Sequence, residues 1–242
     1  MPLTATITEA GASLLDLIYP PKCLVCGAPG PVDLCHECRA QFVPIEEPFC
    51  RHCGALVSPG VKLCAVCESQ TSPNVASAWA AGSFEGTLRD AILRLKYGQK
   101  RRLAPPLGDF LAEFLARQED FPRRADAIVP VPLHPSRLRE RGFNQSELLA
   151  LRIVPGLEMP IRTDWLRRIR RTRPQVELDA DQRAANVRDA FAVPNGVDLD
   201  GTTIILLDDV LTTGHTVQEC ARALANSGAK AVHVVAVARG AV

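Results

Sequence analysis

The sequence predicts an α/β protein with a parallel sheet and flanking helices, preceded by a small metal-binding module. Short apolar runs, typical of strands buried on both faces, alternate with amphipathic helical segments in residues 78–242. One run ends in two aspartates and a turn rich in glycine and threonine, which leads into a helix. Eight of the nine cysteines stand in four C-x-x-C pairs between residues 23 and 67. We therefore divide the chain into a cysteine module (residues 1–70), a polar linker (71–77) and an α/β domain (78–242).

The composition is that of a folded protein and singles out no class of ligand. Hydrophobic residues make up 47% of the 242 residues and charged residues 23%, which are ordinary globular values. The formal net charge of +1 turns negative if eight thiolates bind two Zn²⁺ ions, so overall charge does not indicate a nucleic-acid-binding protein. The sequence has no apolar run of membrane-spanning length and no signal peptide, so we expect a cytoplasmic protein with reduced thiols.

The cysteine module contains an internal repeat. Each half has a C-x-x-C-G turn, a short loop and an L-C-x-x-C pair. A C-x-x-C turn places two sulfurs on one side of a tight loop, and two such turns complete a tetrahedral thiolate site. We expect tandem pairing within each half, with crossed pairing between the halves as the alternative; His36 and His52 are substitute ligands that four thiols per site make unnecessary. The predicted ligands of two structural Zn²⁺ ions are Cys23, Cys26, Cys35, Cys38, Cys50, Cys53, Cys64 and Cys67.

The remaining elements follow from hydrophobic periodicity and from breaks at proline and glycine. Leu88, Ile92 and Leu95 recur at helical spacing, and the run AIVPV at 127–131 ends at prolines that mark a turn. Cys220 falls on the apolar face of the last helix, where we interpret it as a core residue. We expect strands at 78–84, 127–131, 204–207 and 232–237, and helices at 87–97, 107–117, 144–151 and directly after residue 216.

The strand at 204–207 leads into the pair that carries the functional prediction, Asp208 and Asp209. Ligands of parallel α/β sheets bind beyond the carboxyl ends of strands, where this pair stands. Because two carboxylates repel a phosphate, they indicate a different partner, such as ribose hydroxyls or the water shell of Mg²⁺. The alternative is an ordinary strand–turn–helix with solvated aspartates. The following turn offers backbone N–H groups and hydroxyls to a phosphate, which predicts a sugar phosphate with a metal; its residues are Thr212, Thr213, Gly214, His215 and Thr216.

A second segment, LHPSRLRERGFNQ, follows the strand at 127–131. It carries Arg137, Arg139 and Arg141 on alternate residues of what we expect to be a loop. In a parallel sheet the carboxyl ends of the strands meet at one edge, which brings these arginines towards the two aspartates. A guanidinium forms two charge-assisted hydrogen bonds with a phosphate group, so the arginines suit a pyrophosphate. A solvated basic surface is the alternative interpretation.

The stretch IILLDDVLTTGHT resembles the phosphoribosyl-pyrophosphate (PRPP) signature of type I phosphoribosyltransferases. With the cysteine pairs, LRLKYGQKRRLA, VPVPLHPSRLRERGFNQ and RRTRPQVELDADQRAANVRDAFAV, it makes the chain similar to the ComF/GntX family over residues 23–239. This resemblance implies a double zinc ribbon joined to a type I phosphoribosyltransferase-like domain. The ribose of PRPP would then lie on the aspartate pair and its 5′-phosphate on the 212–216 turn, with Mg²⁺ at the pyrophosphate. The residues expected to form a lid over the site are Arg171, Arg173, Gln175, Arg183 and Asn186.

Two functions are compatible with this resemblance. An enzyme would transfer the phosphoribosyl group to a nucleophile and release pyrophosphate, in connection with DNA uptake during natural transformation. A non-catalytic adaptor would bind single-stranded DNA through basic residues, dock a competence helicase through the zinc ribbons and use the PRPP pocket for sensing. Aromatic residues are only 5% of the chain, so we do not expect an extended base-stacking surface. We favour the enzyme, whose acceptor the sequence does not identify.

Overall fold

The computed structural model describes residues 20–69, 73–172 and 185–240. Its centre is a four-stranded parallel sheet in the order β1-β6-β5-β2, and strands β3 and β4 form a separate antiparallel ribbon. Each of the strands expected from the sequence is present in the sheet, which confirms the predicted α/β class. The strands are β1 (Ser77–Ser83), β2 (Ala127–Pro130), β3 (Arg167–Arg168), β4 (Phe191–Ala192), β5 (Thr203–Leu211) and β6 (Ala231–Arg239).

The helices expected at 87–97, 107–117 and 144–151 are present to within one turn at each end. Helices α1 and α2 belong to the cysteine module, and a helical turn covers residues 185–187. Within the described residues, no helix has the length and apolar character needed to cross a membrane. The helices are α1 (His36–Ala40), α2 (Ala65–Ser69), α3 (Gly86–Tyr97), α4 (Ala104–Ala116), α5 (Pro135–Arg141), α6 (Gln145–Ile153) and α7 (His215–Ala225), with 3₁₀ turns at Arg101–Leu103 and Val154–Gly156.

Strand β5 is longer than the sequence suggested. Residues 204–207 are fully buried between β2 and β6, as the apolar run predicted. The strand then continues through Asp208 and Asp209 as far as Leu211, which pairs with Arg239 of β6. The backbone ladder therefore holds both aspartates in place, whereas we expected them to follow the strand. Polar side chains are tolerated there because the sheet edge opens into a cavity.

The expectation of a loop after β2 is wrong, because residues Pro135–Arg141 form helix α5. The His134 side chain accepts a hydrogen bond from the backbone N–H of Ser136, and proline occupies the first helical turn. Gly142, at φ +81°, ends the helix in the left-handed conformation. Leu138 is the one apolar residue in the segment, so it shows no apolar stripe and hydrophobic periodicity does not detect the helix.

The cysteine module packs into the core of the α/β domain. Phe49 meets Trp79 with ring centroids 5.8 Å apart, and Phe42 meets Phe110 at 5.2 Å. These rings belong to one continuous buried cluster with the sheet. Residues 43–45 also extend the sheet, because Ile45 N–H donates to Ala81 O at 2.9 Å and Ser83 N–H donates to Val43 O at 2.9 Å. The module therefore covers the outer edge of β1 and shares the core of the larger domain.

Candidate functional site

A cavity of about 360 Å³ lies at the carboxyl edge of the parallel sheet. Its floor comes from the end of β5 and the turn that follows, and its sides come from the segments after β1 and β2. Helix α3 crosses this edge and contributes Arg89, Lys96 and Tyr97 to the wall. The chain thus gathers segments distant in sequence at the edge where parallel α/β sheets bind ligands.

The two aspartates of β5 are almost completely buried at the floor of the cavity. Asp208 Oδ1 accepts hydrogen bonds from the backbone N–H of Asp209 at 2.8 Å and from Ser146 Oγ at 3.4 Å. Asp209 Oδ1 lies 2.9 Å from Lys96 Nζ. The other oxygen, Asp209 Oδ2, is buried and has no hydrogen-bond partner among the described residues. A buried carboxylate oxygen without a partner is costly, so this atom fits a ligand hydroxyl, a metal ion or a metal-bound water.

The charges of these three residues are coupled. Burial raises the pKa of Asp208 to about 7, and repulsion from Asp209 adds to this effect while Lys96 opposes it. Burial disfavours the charged form of Lys96 as well, but attraction to Asp209 and Asp208 outweighs it and raises the pKa of that ammonium. Lys96 is therefore a cation at neutral pH, whereas the pKa of Asp208 is moved out of the acid range towards neutrality.

The turn after β5 leads directly into α7. Gly214 stands at φ +79° as the N-cap of that helix, and a Cβ there would have Gln218 Nε2 as its nearest neighbour at 3.8 Å. Glycine is required by the backbone conformation, since the surrounding space is open. The first backbone N–H groups of a helix point outwards along its axis and carry partial positive charge, which makes the N-terminus of α7 suitable for an anion. The turn residues that line the cavity are Thr212, Gly214, His215 and Thr216, whereas Thr213 does not line it.

Helix α5 separates the three arginines that the sequence grouped together. Arg137 and Arg141 are four residues apart, so they share one face and line the cavity. Arg139 is exposed on the other side and does not line the cavity. The guanidinium of Arg141 lies 5.6 Å from the centre of the Tyr97 ring and donates to Gln145 Oε1. Two of the three arginines are thus brought to the aspartate pair.

The residues expected to form a lid are only partly described. Arg171 lines the cavity. Asn186 does not line it, and its carbonyl oxygen accepts a hydrogen bond from Arg170 Nη2 at 3.2 Å. Arg173, Gln175 and Arg183 lie outside the described residues.

Sequence reasoning did not assign Lys96 to the acid pair, although a signal was present. Arg89, Leu93 and Lys96 recur at helical spacing and all line the cavity. They lie beside the buried face of α3, to which Leu88 and Leu95 belong. The amphipathic pattern therefore identified a polar face of α3. It did not show that this face lies over the aspartate pair, because the crossing of α3 over the sheet edge is a tertiary feature.

Arg168 is a further cavity residue that the sequence did not single out as a site residue. It comes from the two-residue strand β3, which is too short for any periodicity to reveal. Its guanidinium lies 5.2 Å from the centre of the Phe191 ring and donates to Thr172 Oγ1. Its Nε atom is buried without a hydrogen-bond partner among the described residues. Arg168 Nε is thus a second buried polar atom, after Asp209 Oδ2, whose missing hydrogen bond a ligand would supply.

The cysteines form two separate tetrads in tandem order, one from each half of the repeat. Within each tetrad the four sulfurs lie within 4.8 Å of one another, which fits a tetrahedral Zn²⁺ ion. Burial opposes ionisation of Cys23, but hydrogen bonds from neighbouring backbone N–H groups outweigh it and lower the pKa of that thiol to about 6. His36 and His52 belong to neither tetrad. Cys220 is fully buried in the core, as expected.

Comparisons with known proteins match both parts of the chain. Residues 14–68 match the double zinc ribbon domain and residues 144–242 match the phosphoribosyl transferase domain. Competence protein F of Haemophilus influenzae is 30% identical over 211 residues, covering 85% of this chain and 90% of that protein. The DNA utilization protein YhgH of Escherichia coli K12 is 31% identical over 227 residues, covering 90% of this chain and 96% of that protein.

A solved structure of similar type is the glutamine PRPP amidotransferase of B. subtilis, complexed with ADP and GMP. It is 20% identical and covers 55% of this chain and 26% of that chain, with a TM-score of 0.37. A structural likeness at this TM-score does not contribute to the family assignment. The two domain matches and the near full-length relatives establish the family on their own. The chain belongs to the ComF family of competence and DNA utilization proteins, which join a double zinc ribbon to a phosphoribosyltransferase-like domain.

Proposed function

We propose that the protein binds PRPP with a divalent cation and transfers its phosphoribosyl group, with release of pyrophosphate, in DNA utilization or uptake. The observation that carries this proposal is that the aspartate pair and the N-terminus of α7 face one cavity. The other charged side chains of the cavity are cationic: Arg89, Lys96, Arg137, Arg141, Arg168 and Arg171. Carboxylates at the floor suit hydroxyl groups, and the cationic walls suit phosphates.

The aspartate pair would orient the sugar. Asp209 Oδ2 lacks a hydrogen-bond partner among the described residues, which a ribose hydroxyl would supply, while the backbone N–H of Asp209 and Ser146 Oγ hold Asp208 in place. A 5′-phosphate on the N–H groups of the Gly214 turn would then fix the other end of the sugar. Two-point binding of this kind sets the direction in which the anomeric carbon faces the cavity.

The arginines would stabilise the leaving group. Departure of pyrophosphate moves negative charge onto its oxygen atoms, and Arg137 and Arg141 present guanidinium groups from a fixed helix face. Arg168 adds a partly buried cation whose Nε still lacks a partner. A divalent cation, when bound, would neutralise part of the same charge.

Calorimetry with Mg-PRPP tests this proposal. Asp209→Asn keeps the shape of the side chain and removes its charge, so we expect at least a roughly tenfold loss of affinity. Arg141→Gln should also weaken binding, whereas Arg139→Gln removes an exposed charge from the same helix and serves as the matched control. Unchanged affinity in both Asp208→Asn and Asp209→Asn would contradict the assignment. Release of pyrophosphate with candidate acceptors tests turnover.

A second function, the non-catalytic adaptor, is favoured by the surface of the molecule. Large apolar side chains are exposed on the zinc-bearing module, including Val32, Leu56 and Val66, and they offer a protein partner such as a helicase an apolar contact. Basic residues are exposed on the α/β domain, among them Lys100, Arg101 and Arg170. Contacts of these residues with the backbone of single-stranded DNA would make binding strongly salt-dependent. Salt-dependent DNA binding without release of pyrophosphate would favour the adaptor.

A further inference from the structure

The acid pair at the end of β5 has a counter-ion within the cavity, because Lys96 forms an ion pair with Asp209. The ammonium lies 2.9 Å from Asp209 Oδ1, and the side chains are only 20% and 3% exposed. Lys96 comes from the last turn of α3, whereas Asp209 belongs to the central strand β5. The contact thus connects two elements that both line the cavity.

Charge balance explains why a cation stands there. Two adjacent carboxylates buried at the end of a strand repel each other, and burial removes the water that would screen them. Lys96 is the cation in direct contact with the pair among the described residues. Its single ammonium occupies Oδ1 and leaves Asp209 Oδ2 without a partner, so it balances the pair only in part.

We propose that Lys96 is a displaceable counter-ion, which keeps the acid pair closed to free divalent cations until a sugar phosphate arrives. The pair is then a latent site for a hard divalent cation, with the orphaned Asp209 Oδ2 as its ready ligand. Naming the sugar phosphate as the group that displaces Lys96 rests on the proposed function. The competition between the ammonium and a divalent cation does not.

The position of Lys96 allows such a displacement. The lysine side chain has a long flexible stem, so its ammonium can leave Asp209 without movement of the helix. The neighbouring wall of the cavity is formed by Tyr97 and Arg141, so the released ammonium would join a cationic surface. A phosphate group in the cavity offsets the repulsion between the released ammonium and this cationic wall, whereas a free divalent cation does not. Lys96 therefore leaves more readily for an anionic ligand.

Binding of Mn²⁺ in the absence of any sugar phosphate tests this inference. Electron paramagnetic resonance measures the free ion at about pH 8, above the pKa of Asp208 of about 7. We expect Lys96→Gln to bind Mn²⁺ at least about tenfold more tightly than the wild type, because the competing ammonium is removed. Lys96→Arg, which keeps a cation, should stay close to the wild type.

Two further variants show whether the gain in Mn²⁺ affinity arises at the acid pair. The double variant Lys96→Gln with Asp209→Asn should not show this gain, because the ligand oxygen is changed. Arg152→Gln removes a cation that is also paired with an aspartate, Asp109, but on the outer surface, so Mn²⁺ affinity should not change. Thermal unfolding of every variant checks that the fold is retained.

The inference is overturned if folded Lys96→Gln binds Mn²⁺ no more tightly than the wild type. It is also overturned if the gain persists after Asp209 is changed. Because no PRPP is present, these outcomes are independent of the proposed transferase. A protein that fails to bind PRPP but shows the Mn²⁺ gain would keep the counter-ion role of Lys96 and reject only the sugar phosphate as its trigger.

Discussion

The guanidinium of Arg239, at the end of strand β6, lies 3.7 Å from the sulfur of Cys53. The backbone oxygen of Arg239 accepts a hydrogen bond from Phe84 N–H at 2.7 Å, and Phe84 lines the cavity wall. Across the sheet, Arg239 pairs with Leu211 of β5. One residue therefore contacts the second cysteine tetrad and the edge of the candidate active site.

Replacing Arg239 should weaken zinc binding at the second tetrad. A tetrad of thiolates around Zn²⁺ carries net negative charge, which the guanidinium partly neutralises. We expect Arg239→Met to lose roughly tenfold in zinc affinity at that tetrad, a typical effect of removing an outer partner of a ligand. Zinc release to a colorimetric chelator should show one fast and one slow phase. Equal release of both ions at the wild-type rate would contradict this expectation.

Gly214→Ala should impair ligand binding more than stability. Alanine at φ +79° costs about 1 to 2 kcal/mol in backbone strain, and its relief would turn the first N–H groups of α7 away from a phosphate. The matched control is Gly196→Ala, at φ +86°, with equally open space and no place in the cavity wall. Both variants should lose similar stability, and only Gly214→Ala should lose PRPP affinity. Equal affinities of the two variants would remove the turn from the site.

Asp208→Asn should change how the free energy of unfolding depends on pH. Burial raises the pKa of Asp208 from 3.8 to about 7, so between these values the folded state binds more protons than the unfolded state. This residue therefore makes the wild type less stable as the pH rises through that window. Relative to the wild type, the variant should gain stability between about pH 5 and about pH 7.

Denaturant unfolding of both proteins at the two pH values measures this change. Taking the difference between them at each pH cancels the titrating groups that do not interact with Asp208, including the cysteines of the two tetrads. A constant difference would show that Asp208 does not titrate in this range.

The sequence predicts the parts of the fold that depend on local pattern. The fully apolar 204–207 run identified the central strand, and the repeat of C-x-x-C pairs identified both tetrads in their tandem order. Both signals are strong because few structures other than a buried strand or a metal site use such residues. The two aspartates were likewise marked by their place after the apolar run.

The parts that the sequence did not reveal depend on tertiary contacts or on caps. Helix α5 has no apolar stripe, so its arginines were assigned to a loop and Arg139 was grouped with the other two. Lys96 reaches Asp209 because α3 crosses the sheet edge, which the sequence of the helix alone does not specify. The packing of Phe42 and Phe49 from the cysteine module into the core of the sheet is likewise a tertiary contact that no local pattern specifies.

The strand-like segment 43–45 gives the zinc module a protective role. It occupies the hydrogen-bonding groups of β1 that would otherwise face solvent, and the two tetrads hold it from either side along the chain. An uncovered edge strand can pair with strands of other copies of the chain, which leads to aggregation. In zinc-starved cells, newly made chains would therefore accumulate as insoluble aggregates, so metal supply during synthesis would set the yield of usable protein.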